Sequence, residues 1–481
     1  MRMKLFAAIV ILFSLIELLP AEEEISKPPN LIIIISDNQP AWAMGCAGNR
    51  IISTPHLDRL AAESVRFQNA FVTTPICGAS RASILTGMYR RRHGFTFNTD
   101  PLQANLAAIS YPALLRENGY RTALIGKFGI ESNGEIMVED EEQSLGLMFD
   151  DFDNFEHWGK SGPKGYFVTN LNGGKKHLTD VTADKATAFL KQRSESDQPF
   201  CLTLCFNAPH AQDDDPRQYI WPVRFDEYYA GSTIPEPLNS DQNFFKRQPD
   251  FLQDSLGRER WGWRFNTPKK FQTMMKGMYR MVSGVDDAVG RLRDQLQKLD
   301  LRENTIIIYS SDNGMFFGER GLSDCWLLYE ESIRVPLIVF DPRTKAKSQR
   351  GKLRQEMVLN LDLAPTILDF AGVKNKTPMD GRSLKILLSG NVKNAWREDF
   401  LCEHLFEHKK IPKSEGVRSK DWKYIRYFEQ DPIYEEFYDL KNDPHERDNL
   451  SKDPNYLGKL NSIRQRCDKL LMDIRKSAQH K

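Results

Sequence analysis

The chain carries almost no excess charge of either sign. Its 66 Lys and Arg residues nearly balance 65 Asp and Glu residues, which leaves a formal net charge of +1 over 481 residues. The chain therefore has no strong overall positive electrostatic field of the kind that attracts nucleic acid. Any recognition of an anion has to depend on a local group of positive charges. We accordingly predict no nucleic-acid partner.

The chain also has no evident internal repeat or low-complexity tract, and it has only seven cysteines. Cysteines this sparse permit disulfides but do not require them. Cys201 and Cys205 are four residues apart in one predicted strand, so they share a face and cannot easily pair with each other. The length and the hydrophobic content allow a large core and roughly two to four domains' worth of chain.

No apolar run is long enough to be a clear membrane span. The longest, Leu5–Leu19, follows Arg2 and Lys4 and precedes an acidic stretch. This pattern predicts a signal peptide over residues 1–21, export to a periplasm or the cell exterior, and no stable membrane insertion. The alternative is an uncleaved anchor, because Leu19 is a poor match for the small residue expected before the cut.

Four continuous apolar runs end abruptly in polar residues. They are Leu31–Ile35 before Asp37, Thr122–Ile125 before Lys127, Phe200–Phe206 before His210, and Thr305–Tyr309 before Asp312. Such runs are typical of parallel strands covered on both faces. With amphipathic helical stretches between them, they predict an α/β fold with a central, mostly parallel sheet flanked by helices. Ligands bind beyond the carboxyl ends of such strands, so we expect an active site there.

The pattern changes near residue 390. Four short alternating runs and a final helix over Leu457–Ile474 predict a smaller C-terminal antiparallel sheet with a helix. We therefore divide the chain into a catalytic α/β domain over residues 28–390 and a C-terminal subdomain over 391–481. The aromatic-rich segment 209–262 is too long for a plain connection and is interpreted as a functional loop or lid.

A small nucleophile-type residue is placed at the start of a short predicted helix. Cys77-Gly78-Ala79-Ser80-Arg81 leads into helix-compatible residues that stop at Gly87. Backbone N–H groups and the helix dipole would converge at Cys77 on an anion, with Arg81 on the same side. A buried structural cysteine explains this stretch alone about equally well.

Two Asp-Asn pairs follow two of the predicted strands. Asp37 and Asn38, with Asp312 and Asn313, supply side-chain oxygens that suit a hard divalent cation, calcium first and magnesium second. No Cys/His cluster accompanies them, which argues against zinc. Each pair alone is more simply a turn former, but two pairs beside Cys77 favour a metal site.

The Cys77–Arg81 stretch resembles the signature of the sulfatase family, in which this cysteine is oxidised to formylglycine by a maturation enzyme. Segments over 310–314, 329–336, 362–366 and 437–440 resemble further sulfatase segments in the expected order. The resemblance implies an alkaline-phosphatase-like fold and a sulfuric ester hydrolase that acts on a sulfated saccharide. It also implies that Ca²⁺ is held by Asp37, Asn38, Asp312, Asn313 and the modified Cys77.

The resemblance further implies a role for each remaining residue. The formylglycine hydrate at Cys77 attacks sulfur, Asp312 accepts its proton, Arg81 orients the nucleophile, Lys127 binds a sulfate oxygen, and His210 protonates the leaving alcohol or binds sulfate. Asn38 stands where many members have a second Asp, which should weaken cation binding.

Two departures concern groups that contact sulfate. Gly129 stands where related members have a histidine that assists sulfate release, and Cys325 stands where they have a sulfate-binding lysine. We expect Arg320 to restore the lost positive charge. We also expect His404 to line a sugar pocket, with a solvated charged turn as the alternative at even odds.

Two other functions remain open. A phosphodiesterase or phosphonate hydrolase could use the same scaffold, because phosphate and sulfate esters have similar shapes. A catalytically silent protein that binds sulfated glycans would account for Gly129 and Cys325.

Overall fold

The computed structural model describes residues 27–99, 101–130, 145–157, 165–169, 173–344, 349–375, 377–390 and 395–479. The predicted signal peptide lies outside these residues. Within them, no helix combines the length and the apolar composition needed to cross a bilayer.

The strands of the described residues, in chain order, are β1 (Asn30–Ser36), β2 (Val65–Phe71), β3 (Arg121–Gly126), β4 (Asp151–Asn154), β5 (Phe167–Thr169), β6 (Lys175–His177), β7 (Phe200–Cys205), β8 (Thr305–Ser311), β9 (Phe316–Phe317), β10 (Ser323–Asp324), β11 (Leu337–Phe340), β12 (Lys352–Leu359), β13 (Asp399–His404), β14 (Ser414–Ser419), β15 (Trp422–Tyr427) and β16 (Tyr434–Asp439). The α-helices are Pro55–Ala62, Cys77–Thr86, Arg90–His93, Ala104–Ala108, Tyr111–Glu117, Leu178–Arg193, Gln242–Lys246, Asp250–Gln253, Leu256–Arg264, Pro268–Lys298, Glu330–Ile333, Leu363–Ala371, Lys385–Leu388 and Leu457–Gln479.

Eight strands form the central sheet in the order β12-β2-β11-β8-β1-β7-β3-β4. All neighbouring pairs are parallel except those of β11, which runs antiparallel to both β2 and β8. The mostly parallel α/β sheet expected from the sequence is thereby confirmed. The four strands with apolar runs, β8, β1, β7 and β3, lie side by side at its centre.

Both faces of this sheet are buried, as the continuous apolar runs require. Along β1, Leu31, Ile33 and Ile35 contribute to one hydrophobic core, and Ile32 and Ile34 contribute to another. Successive strand residues point to opposite faces, so the two cores are the two sides of the sheet. The helix Cys77–Thr86 packs in the first core, and the long helix Pro268–Lys298 packs in the second. Cys201 and Cys205 both belong to the first core, in agreement with their predicted shared face.

A separate antiparallel sheet of order β13-β14-β15-β16 follows, also as predicted. The helix Leu457–Gln479 covers it through a third core that includes Leu401, Val417, Tyr424 and Leu460. The division at residue 390 stays a prediction, because residues 391–394 lie outside the described part of the chain.

The aromatic-rich segment 209–262 is folded onto the body of the protein. It contains short helices, and Trp221, Tyr229 and Trp261 pack against the second core. Tyr228 and, just beyond the segment, Trp263 remain exposed by 42% and 39%. Of these five aromatic side chains, Tyr228 and Trp263 are the ones substantially available to a ligand.

Candidate active site

Polar residues meet at the carboxyl ends of the four central strands. Asp312 follows β8, Asp37 follows β1, His210 lies beyond β7, and Lys127 follows β3. The four are at most 9% exposed. The helix that begins at Cys77 approaches the same edge from the first core. The sheet therefore brings together the groups that the sequence distributes over about 275 residues.

Four charged side chains alternate in sign across this edge. Lys127 Nζ lies 2.7 Å from Asp37 Oδ2, and Arg81 Nε donates to Asp312 Oδ2 at 2.9 Å. A second Arg81 nitrogen donates to the Lys127 carbonyl at 2.7 Å and joins the two pairs. Burial and the nearby Asp37 raise the pKa of Asp312, whereas Arg81 and Lys127 oppose that shift. Each buried charge thus has a partner of opposite sign, which is what makes the cluster tolerable.

The two Asp-Asn turns are tied to each other. The backbone N–H groups of Asn38 and Asn313 donate to Asp312 Oδ1 at 3.0 and 2.8 Å, and Asn313 Nδ2 donates to Asn38 Oδ1. Asn38 has a φ of 62°, a left-handed conformation that Asn adopts more readily than most residues. This backbone reversal directs the strand end back toward the neighbouring turn.

Two oxygens of this group have no hydrogen-bond partner among the described residues. They are Asp37 Oδ1 and Asn313 Oδ1, and both are buried. Buried acceptors are nearly always satisfied, so a pair of them beside further carboxylate and amide oxygens fits a bound hard cation. The described residues hold no group of three His, Cys, Asp or Glu arranged for a metal. A cation here would therefore depend on the amide oxygens of Asn38 and Asn313.

Cys77 is the first residue of its helix and is partly exposed. Burial raises the pKa of its thiol to about 12, and the charges of Lys127, Asp37, Asp312 and Arg81 all act on it. The helix start is packed tightly, since a Cβ at Gly78 would lie 2.6 Å from the Gly129 carbonyl oxygen. Cys77 therefore occupies the edge at which the four charges converge.

His210 is held in one tautomer. Its Nδ1 lies 2.6 Å from the Ala211 carbonyl, so Nδ1 carries the hydrogen. Burial, with Lys127 nearby, lowers the pKa of His210 to about 4. The ring is therefore neutral at pH 7 and presents Nε2 as an acceptor. To donate a proton to a leaving alcohol, it would first have to gain one.

A second histidine, which the sequence patterns do not single out, lies beside the first. The rings of His157 and His210 are 5.0 Å apart, and His157 Nδ1 lies 3.1 Å from Asn207 Oδ1. His157 follows β4, whose polar sequence Asp-Phe-Asp-Asn does not read as a buried strand. Had β4 been recognised from the sequence, Glu156 and His157 would have been expected at the same edge of the sheet, because both come shortly after Asn154, the last residue of that strand.

A buried ion network, also missed by the sequence patterns, connects the loop after β7 to the β10 strand. Arg264 is fully buried and donates to Asp213, to Gln218 Oε1 at 2.7 Å and to Asp324 Oδ2 at 2.9 Å. Arg260 reaches the same two carboxylates, at 2.7 and 2.9 Å. The spacing of arginines at positions 260 and 264, one helical turn apart, was the available signal.

Arg320 and His404, which the sequence analysis places at the substrate, are both buried. Arg320 is 1% exposed, and its guanidinium lies 3.6 Å from the Tyr329 ring centre, beside the C-terminal sheet. His404 is fully buried, and in the part of the chain that the structure describes neither ring nitrogen has a hydrogen-bond partner. Burial and the Arg90 charge lower its pKa to about 3. Within the described residues, neither side chain forms an ion pair or a hydrogen bond with the four charged residues beside Cys77, and their roles at the substrate stay predictions.

Models of known protein families match most of this chain. The sulfatase family model matches residues 29–373, which is well over half of the chain. The chain belongs to the sulfatase family. A model for the C-terminal part of N-sulphoglucosamine sulphohydrolase matches residues 318–476. The protein is therefore a sulfuric ester hydrolase by family.

Three relatives of this sulfatase show how far the similarity extends. An N-acetylglucosamine-6-O-sulfatase of Bacteroides thetaiotaomicron is 29% identical over 93% of this chain and 86% of its own length. A solved structure, described as a complex with its substrate D-glucosamine-2-N,6-O-disulfate, has a TM-score of 0.75 and 27% identity, and covers 94% and 99% of the two chains. A phosphonate monoester hydrolase of Agrobacterium radiobacter has a TM-score of 0.74 at 20% identity over 94% and 96%, which shows a common fold.

Gly129 of this sulfatase lies against the charged side chains of the site. The residue has a φ of +72°, and a Cβ there would lie 2.8 Å from Arg81 Cδ and 3.2 Å from Lys127 Cε. Its N–H donates to Glu156 Oε1 at 3.1 Å. Arg81 thus occupies the space that a side chain at position 129 would need.

Cys325 sits in an apolar cluster with Ile76, Ala79, Phe406 and Ile411. It is 6% exposed, and the charge of Arg260 is among those that act on its thiol. Arg260 donates to the neighbouring Asp324 at 2.9 Å, so a cation from a helix earlier in the chain lies near this position.

Proposed function

We propose that this protein is an exported, formylglycine-dependent sulfatase that releases inorganic sulfate from a sulfated carbohydrate. The observation that carries the proposal is the position of Cys77, at the start of a helix and within the field of Lys127, Asp37, Asp312 and Arg81. An unmodified thiol with a pKa near 12 is a poor nucleophile at neutral pH. The aldehyde produced by the maturation enzyme is therefore proposed as the active form.

Calcium, with magnesium as the alternative, is the proposed cation. Asp37, Asn38, Asp312 and Asn313 would hold it together with the modified Cys77, since two of their oxygens are buried without a partner. When bound, the cation supplies positive charge that stabilises a sulfate oxygen and acidifies a hydroxyl group in contact with it.

The remaining residues have distinct proposed roles. Asp312, whose pKa is raised by burial, accepts a proton from the nucleophile. Arg81 orients the nucleophile through a planar set of donors and keeps Asp312 in place. Lys127 is a compact cation for a sulfate oxygen. His210 protonates the leaving alcohol after the negative charge of bound substrate has raised its pKa.

A sulfated amino sugar is the proposed substrate class. The B. thetaiotaomicron relative is named for N-acetylglucosamine 6-sulfate, and the solved relative holds a disulfated glucosamine. Trp263, exposed by 39%, lies 5.7 Å from the Arg260 guanidinium and supplies an accessible aromatic face near the ion network.

Modification of Cys77 is tested by mass spectrometry of protein from its natural host. The peptide that spans residue 77 should weigh about 18 Da less than the cysteine form, because an oxygen replaces the elements of hydrogen sulfide. The N-terminus of the protein should lie after residue 21 if the signal peptide is removed. A peptide that carries only the free thiol in active protein would contradict the proposed nucleophile.

Activity is tested by sulfate release from defined sulfated saccharides. Cys77→Ala should abolish release, whereas Cys46→Ala, which removes a partly buried thiol elsewhere, should leave it unchanged. His210→Ala should slow hydrolysis of a sugar sulfate by about 10²–10⁴-fold but that of an activated aryl sulfate much less, because only the sugar alcohol needs a proton. Equal losses on both substrates would refute the role of His210 as proton donor.

The phosphonate hydrolase fold match supports one alternative function. Assays with matched aryl sulfate and aryl phosphonate monoesters decide between the two. Preference for the phosphonate would replace the sulfatase proposal. Tight binding of sulfated glycan without any release would favour the catalytically silent protein instead.

A further inference from the structure

A second group of arginines lies away from the Cys77 site, at the junction of the two sheets. A cavity of about 250 Å³ is lined by Arg247 and Arg320 on the side of the large domain, and by Glu436, Arg447 and Asp448 on the side of the C-terminal sheet. Three guanidinium groups face two carboxylates there, which leaves an excess of one positive charge.

Arg320 forms the base of this cavity and is incompletely satisfied. It is 1% exposed, its terminal nitrogen donates to the Glu446 carbonyl, and its Nε finds no hydrogen-bond partner among the residues that the structure describes. Within the described residues, no carboxylate oxygen lies within 4.0 Å of its guanidinium, although the Tyr329 ring lies against it at 3.6 Å. Burial lowers the pKa of Arg320, but nearby tyrosines and the more distant Glu331 and Glu446 outweigh that effect and raise it, so the guanidinium stays charged without a direct ion pair.

The nearby carboxylates are engaged with other groups. Glu446 Oε1 lies 2.7 Å from Lys423 Nζ, and both oxygens of Glu436 accept from the Tyr329 hydroxyl at 2.9 and 2.8 Å. Burial raises the pKa of Glu436, and the charge of Arg320 opposes that shift. Carboxylates such as Glu446 therefore act on Arg320 from a distance, and none in the described part of the chain forms an ion pair with it.

The mouth of the cavity carries the other two arginines. Arg247 and Arg447 are exposed, and in the described part of the chain neither has a carboxylate within 4.0 Å. Arg247 lies 5.0 Å from the Phe244 ring, which also lines the cavity. The cavity thus combines the buried guanidinium of Arg320 with two exposed guanidinium groups at its mouth.

We propose that this cavity binds a tetrahedral oxyanion of the sulfate or phosphate class, at a site separate from Cys77. Guanidinium groups match the oxygens of such anions through paired N–H donors. An anion held by Arg320 and Arg447 would tie the turn at residues 318–322 to the C-terminal sheet. The anion is either free inorganic sulfate or a sulfate group carried on a sugar.

The site is tested by anomalous diffraction from crystals soaked in graded concentrations of selenate. A selenium peak is expected within hydrogen-bond distance of Arg320, and the concentration that gives half occupancy should rise about tenfold in Arg247→Gln/Arg447→Gln. Arg59→Gln removes an arginine that is 73% exposed on a distant helix and should change nothing. Both substituted residues of the double variant are at the surface, so the fold should be preserved.

Two outcomes would overturn the proposal. One is no peak in the cavity at any concentration, and the other is a peak of unchanged occupancy in the double variant, which would mark an adventitious ion only. A selenate peak at the Cys77 site is scored separately, so failure of the proposed sulfatase function would not affect this result. Competition of selenate with inorganic sulfate and with glucosamine 6-sulfate then identifies the source of the anion, and the tighter competitor is the ligand.

Discussion

Restoring the histidine that related sulfatases carry at position 129 should destroy this enzyme rather than improve it. Gly129 has a φ of +72°, a region that costs an L-residue about 1–2 kcal/mol. The larger effect is local, because the new Cβ would lie 2.8 Å from Arg81 Cδ and 3.1 Å from Arg81 Nε. Arg81 would have to move, and its 2.9 Å hydrogen bond to Asp312 would be lost.

The expected cost in rate follows from that displacement. Losing one preorganised charged contact lowers kcat by about 10²–10³-fold, equivalent to about 2.7–4 kcal/mol. Gly129→Ala should already show this loss, and Gly129→His should be at least as slow. The assay is sulfate release under saturating substrate, with thermal unfolding measured in parallel.

A matched variant separates backbone strain from the collision with Arg81. Gly372 has a φ of +70°, and no atom of the described residues lies within 4 Å of its added Cβ. Gly372→Ala should therefore lose stability through backbone strain, as Gly129→Ala does, yet keep full kcat. Unchanged or increased turnover in Gly129→His would refute the reasoning and imply that Arg81 can be moved without consequence.

Three further predictions follow from buried charges. Asn38→Asp should bind Ca²⁺ about tenfold more tightly in calorimetry, because it adds a carboxylate at a position where φ is already tolerated; unaltered affinity would exclude Asn38 as a ligand. Arg264→Met should lower the free energy of unfolding in urea by about 3–5 kcal/mol, since it leaves the two buried carboxylates of Asp213 and Asp324 sharing one cation, Arg260, so that one buried negative charge is unbalanced. As a control, Arg224→Met removes an ion pair nearer the surface and should lower the free energy of unfolding by less than about 1 kcal/mol. Burial raises the pKa of Asp286 to about 7, so the folded state holds this proton more tightly than the unfolded chain and loses that stability as pH rises from 4 to 7. The unfolding free energy of Asp286→Asn relative to the parent should therefore increase over this range, and a constant difference would contradict it.

Much of the large domain could be predicted because its strands are buried on both faces. Leu31–Ile35 and Thr305–Tyr309 are continuous apolar runs, and the structure extends each by only one or two residues, to Asn30–Ser36 and Thr305–Ser311. β4 could not be predicted in this way, because Asp151–Asn154 lies at the sheet edge, is only partly buried and has a polar sequence. Because β4 was not predicted, His157, which follows that strand, was not predicted at the site.

The position of positive charge around the site was harder to predict. The sequence suggests that Arg320 lies near Cys325, because few residues separate them. Arg320, Asp324 and Trp326 have positive φ values of 59°, 72° and 81°, which reverse the chain repeatedly over this short stretch. Neighbours in sequence therefore point to different places, and Arg260 and Arg264 occupy the region instead.

The sequence by itself determined the fold class, the family and the polar residues that follow the four central strands. It could do so because apolar periodicity and the ends of parallel strands are local properties that topology then aligns. Only the tertiary structure decided which charges pair, which oxygens stay unpartnered and which arginines face a cavity. Those outcomes depend on packing between segments that are hundreds of residues apart in sequence. A buried charge is stable only when the fold places a group of opposite charge within ion-pair distance of it.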